Sequence, residues 1–61
     1  MTDDTYNAVK ILLTIIDSRF DVIADEKDAN RRITAAKQLR SDVVDLVTAI
    51  GILTTEIIDN N

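Results

Sequence analysis

The chain reads as an all-α protein: a two-helix antiparallel hairpin, with helices over about 3–25 and 29–58, assembling into a homodimeric four-helix bundle. Three observations carry this expectation. Apolar residues recur at steps of three and four along two separate segments. The phase of that recurrence changes once, at a polar stretch in the middle. The apolar arc on each segment is wider than one neighbouring helix can cover.

The first segment carries Tyr6, Val9, Leu13, Ile16, Phe20 and Ile23, with no missed position in the three-four rhythm. A second row, Ala8, Leu12, Ile15 and Val22, lies beside it, and Ile11 marks its far edge. Nine Ile and five Val would suit strands, but the runs Ile11-Leu12-Leu13 and Ile15-Ile16 break the alternation a half-buried strand requires. Lys10, Thr14, Asp17, Asp21 and Asp25 gather on the opposite side. Thr2 or Asp3 is placed to cap the start, and acidic residues in the first turn favour the positive end of the helix dipole.

The second segment repeats the rhythm at Ala36, Leu39, Val43, Leu46, Ile50, Leu53 and Ile57, flanked by Ile33, Val44, Val47 and Ile58. Continuing the first rhythm in heptads would instead place Thr34, Lys37 and Ser41 on the seam, so the register resets between the two. The stretch Asp25 to Asn30 is the most polar and offers Asp25 or Asp28 as an N-cap, which predicts a tight reversal there. It contains neither Gly nor Pro. A bent continuous helix with a stutter and a third helix starting at Ser41 are the rival readings. Leu39, Val43 and Leu46 cross Ser41 in register, which argues against the break. Gly51 either permits close helix approach or ends the helix early; Leu53 and Ile57 keep the rhythm and favour continuation.

Apolar residues cover roughly 200° of the first helix and about 180° of the second, against about 100° for a helix with one neighbour. A hairpin supplies one neighbour to each. The chain has 61 residues and contains no Cys and no His, so disulfides, thiolate metal sites and imidazole ligands are absent as stabilising devices. Oligomerisation is the remaining one. A homodimer is favoured; a trimer or docking onto a different protein would cover the same surface.

Composition also bounds function. A net charge of −4 and a pI near 4.4 disfavour nonspecific attraction to nucleic acid or anionic lipid. No stretch approaches the roughly 20 apolar residues of a membrane span, and the acidic start lacks a secretory signal's cationic region. A single soluble cytoplasmic domain over 1–61 is expected, without cofactor or metal. Catalysis is not expected, because Ser and Thr lack an activating base when His and Cys are absent. Asp17, Asp21 and Asp25 read as a solvated face rather than a cation site, and Asp25 to Asn30 departs from the calcium-loop pattern at its Gly and its closing Glu. Amphipathic docking on a membrane surface ranks lowest, for want of Lys and Arg on the polar faces.

Lys27, Arg31, Arg32, Lys37 and Arg40 concentrate positive charge in this acidic chain. They are expected to pair with aspartates of the first helix and the turn, or to meet a partner. Arg19 interrupts the first apolar arc, placed either to snorkel from its edge or to pair across an interface with Asp42, Asp45 or Glu56 and set the partner's register. The expected oligomer core is Leu12, Ile16, Phe20, Ile23, Leu39, Val43, Leu46, Ile50 and Leu53. Arg19, Arg31, Arg32, Lys37 and Arg40 are the candidate partner contacts. The functional expectation is a non-enzymatic, self-associating interaction module, such as a stand-alone adaptor, assembly factor or inhibitor of the size that phage and mobile elements encode. The alternative is a nucleic-acid-binding regulator using the basic segment 27–40.

Overall fold

The computed structural model describes residues 2–60, with side chains from Asp3 onward. Two helices pack against each other as a hairpin: α1 (Thr2–Asp25) and α2 (Ala29–Asp59). The first is about 36 Å long and the second about 46 Å at 1.5 Å per residue. Neither breaks. The second runs without interruption through Ser41 and Gly51, so the three-helix and bent-helix readings do not describe this chain.

The reversal takes only three residues, and acidic side chains close it. Asp28 adopts an extended backbone (φ −76°, ψ 122°) and its carboxylate accepts from the Arg31 amide at 3.0 Å, which makes it the N-cap of α2. The Glu26 carboxylate accepts from the Asp28 amide at 3.0 Å, and the Glu26 amide donates back to the Val22 carbonyl at 2.9 Å. The amides of Glu26, Asp28 and Arg31 thus each gain an acceptor at the reversal. No described residue has a positive φ, and this is why the turn dispenses with Gly. At the start of α1, Asp3 sits inside the first turn rather than ahead of it. Thr2, the other candidate cap, has a side chain outside the described set.

Hydroxyl groups within the helices are satisfied locally. Thr14, Ser18, Thr34, Thr48, Thr54 and Thr55 each donate to the carbonyl four residues earlier at 2.8–3.1 Å. They tile the outer surface without needing a tertiary partner.

Gly51 lies in regular helix, and a Cβ built there meets nothing within 4 Å. It provides no close approach between α1 and α2. Gly51→Ala is therefore expected to stabilise the fold by about 1 kcal/mol through helix propensity. A denaturant midpoint measures the effect, and a loss of stability would show that another chain crowds this position.

The molecule measures 49 × 14 × 11 Å, a slab one helix thick. Its accessible surface is 4768 Å². A compact monomer of 6.8 kDa exposes about 4,000 Å². Burial is correspondingly sparse: Val9, Ile16 and Ala35 are the buried apolar residues among those described.

Candidate self-association face

Burial follows a strict heptad on both helices. On α1 the buried and half-buried positions are Thr5, Val9, Leu12, Ile16, Arg19, Ile23 and Glu26; on α2 they are Ala35, Leu39, Asp42, Leu46, Ala49, Leu53 and Glu56. Every other described residue is exposed. Steps of four and three along each set form the two columns of a coiled-coil seam.

These two sets differ from the seam read from the sequence. Val9, Ile16, Ile23, Leu39, Leu46 and Leu53 face the other helix as expected. Tyr6, Leu13, Phe20, Ala36, Val43, Ile50 and Ile57 do not, and Phe20 is 57% exposed against 8% for Ile16. In their place the hairpin seam takes in small and polar residues. Thr5 donates to Glu56 Oε1 at 2.8 Å, and Arg19 Nε donates to Asp42 Oδ2 at 3.1 Å as a salt bridge, with Asp42 the better buried partner. Glu56 Oε2 is buried with no hydrogen-bond partner among the described residues. The helices have rotated within their apolar arcs so that these polar groups meet.

The two polar contacts also orient the molecule. Thr5 and Arg19 belong to one column of α1, Asp42 and Glu56 to one column of α2, and these columns meet on one side of the slab. The remaining columns, Val9, Ile16, Ile23 and Leu39, Leu46, Leu53, must meet on the other side. Tyr6, Leu13 and Phe20 lie three or four residues from the first of these, so they share its side. Val43, Ile50 and Ile57 stand in the same relation to the second. One broad face of the hairpin is thus apolar over most of its length, four columns wide and open to solvent, with Arg32 ending the Leu39 column at the turn end. The opposite face is divided by Arg19, Asp42, Glu26 and Glu56.

Of the expected oligomer core, Ile16 is buried; Leu12, Ile23, Leu39, Leu46 and Leu53 are half-buried in the hairpin; and Phe20, Val43 and Ile50 are exposed on the apolar face. Leu12 falls in the polar column, on the side away from that face. Arg19 pairs with Asp42 inside the hairpin, within one chain and not across an interface as the sequence reading has it. Sequence reasoning missed the role of Thr5 and Ala49 in the seam. The available signal was heptad phase: Thr5 lies seven residues before Leu12, and Ala49 lies fourteen residues after Ala35.

The basic residues do not converge. Lys27, Arg31, Arg32, Lys37 and Arg40 are all exposed toward the turn end, and no salt bridge among the described residues involves them. Arg32 continues the column of Leu39, Arg40 follows Leu39 around the helix, Arg31 flanks the opposite face and Lys37 points to the back of α2. Among the described residues no group of three acidic side chains is placed to hold a metal ion. The depressions on the surface are open grooves, such as that lined by Thr14, Ile15, Ser18, Arg19 and Val22. No helix among the described residues is long and apolar enough to cross a membrane. No protein-family model matches the chain, and no curated protein or solved structure is significantly similar to it.

Proposed function

We propose that this chain is a non-enzymatic protein-interaction module that self-associates through its apolar face as a homodimeric four-helix bundle. The observation that carries this reading is the open apolar face holding Tyr6, Leu13, Phe20, Val43, Ile50 and Ile57, each at least 40% exposed. Fully burying side chains of this kind is worth roughly 1.5–3 kcal/mol each. For a domain whose whole stability is on the order of 5 kcal/mol, such a face is a large unspent driving force.

Area supports the same reading. The surface exceeds that of a compact monomer by roughly 800 Å², and a standard protein interface removes about 800 Å² from each partner. Two slabs stacked on their apolar faces would form the square section of a four-helix bundle, giving each helix the second neighbour its arc calls for. The outer faces, where charged residues stand beside exposed Ile11, Ile15, Val22 and Ile52, then remain available to a further partner, as an adaptor, assembly factor or inhibitor requires.

Sedimentation equilibrium over a wide concentration range, with far-UV circular dichroism on the same samples, tests this. A helical dimer that loses helix content on dilution is the expected result. A monomer that stays fully helical at every concentration would overturn it. A poorly helical monomer would also do so, and would point to a different protein as the occupant of the face.

A further inference from the structure

We infer that the face opposite the apolar one docks a basic amphipathic helix of a different protein, one on each side of the four-helix bundle. The inference rests on the self-association reading above, which leaves this face outermost, and it names the chemistry of the partner.

Charge divides the slab. On the outward face Arg19 and Asp42 neutralise each other. Asp4, Glu56 and Asp59 stand at its open end, Asp45 near its middle, and Asp25, Glu26 and Asp28 at its turn end, against Arg31. The apolar face has the reverse balance, with Lys10, Lys27, Arg32 and Arg40 around it against Asp3 and Asp17. A cationic partner is thus drawn to one side of the molecule and turned away from the other. With the apolar faces closed on each other, a further copy of this chain could offer only another acidic face, and like charge excludes it.

Apolar surface gives the outward face more than charge. Ala8, Ile15 and Val22 flank the Leu12 column on α1, and Ile52 flanks the Ala49 column on α2. Ile15, Val22 and Ile52 are 36%, 48% and 51% exposed. Between these walls the floor is low, because Thr5, Ala35 and Ala49 hold the seam on this side, where the other side carries Val9, Ile16 and Leu46. The result is a shallow trough between α1 and α2, walled by apolar side chains and edged by carboxylates.

A helix suits such a trough because its apolar stripe, at i, i+3, i+4 and i+7, meets both walls at once. Lys or Arg beside the stripe then reach carboxylates along the whole length. The Thr5–Glu56 and Arg19–Asp42 contacts bring Asp45 level with Ile15 to within about one residue, so one pairing falls at mid-length. At the open end, Glu56 Oε2 is buried and has no hydrogen-bond partner among the described residues. A basic side chain arriving there would satisfy it once the carboxylate turns outward. Asp4 and Asp25 lie about 32 Å apart along α1, which a partner helix of about 20 residues spans.

The test uses the full chain and a synthetic probe, a fluorescein-labelled helical peptide of about 20 residues with leucines at the stripe positions and lysines elsewhere. Fluorescence anisotropy should show saturable binding of one peptide per chain, weakening as salt rises above about 0.1 M, where screening acts within about 10 Å. A twin peptide with glutamate in place of lysine should not bind. Asp45→Lys should weaken binding about tenfold, since repulsion replaces attraction at mid-length, and Ile15→Ser should weaken it by about the same factor. Asp21→Lys makes the same change in net charge on the outer edge of α1 and should alter affinity less than about twofold. All three positions are exposed, so each variant should keep the parent's circular dichroism and mass. Equal losses from Asp45→Lys and Asp21→Lys would reduce the effect to net charge and overturn the site. A dimeric chain that leaves the lysine peptide unbound would also overturn it, with self-association still standing. Binding that survives Ile15→Ser and is lost in Ile50→Ser would place the peptide on the apolar face and take both readings down.

Discussion

Leu46→Asp should leave a chain that neither associates nor holds its helices. Leu46 sits midway along the seam, in the column it shares with Leu39 and Leu53, and it adjoins the apolar face through Val43 and Ile50. Truncating a buried leucine costs roughly 2–5 kcal/mol, and a carboxylate in its place adds the cost of an unpaired charge against apolar neighbours. A chain this short has a total stability of the same order. Far-UV circular dichroism should report a largely unfolded monomer at concentrations where the parent is helical. Native mass and native helix content in this variant would show that Leu46 lies outside any shared core, and both the seam and the self-association reading would fail with it.

Ile50→Glu separates the hairpin from its assembly. Ile50 is 45% exposed in the isolated hairpin, where a glutamate at such a position changes stability by only a few tenths of a kcal/mol. In the proposed bundle the same substitution places two carboxylates, one from each copy, in an apolar interior. At about 4 kcal/mol for the pair, dimerisation should weaken on the order of a thousandfold. The variant should then behave at high concentration as the parent does on dilution. Ser41→Glu, on the outward side of α2, should leave the sedimentation profile unaltered. Equal profiles for Ile50→Glu and the parent would remove the apolar face as the interface.

Much of the architecture is legible from side-chain period alone. The three-four recurrence from Tyr6 to Ile23 and from Ala36 to Ile57 specifies two helices, because only a helix puts those positions on one side. The phase reset marks the reversal, and residue type offers Asp25 and Asp28 as N-caps, of which Asp28 caps α2 while Asp25 ends α1. The excess width of both apolar arcs is equally a property of the sequence, and so is the expectation of a second neighbour for each helix. The polar side of α1, with Asp17, Asp21 and Asp25, reads as outward from the sequence, and all three are exposed.

The orientation of each helix within its arc was not legible. An arc of roughly 180–200° offers several rotations that bury nearly equal apolar area, so the hydrophobic pattern does not rank them. The side chains that break the tie are polar and lie on different helices: Thr5 with Glu56, Arg19 with Asp42. Their pairing depends on the stagger between α1 and α2, which a three-residue turn capped by Asp28 sets and which no single-helix pattern contains. Side-chain order alone specifies two helices, one reversal and more apolar surface than a hairpin can cover. Which half of that surface turns inward emerges only from the packed hairpin, because the Thr5–Glu56 and Arg19–Asp42 contacts form at one mutual rotation and stagger of the two helices.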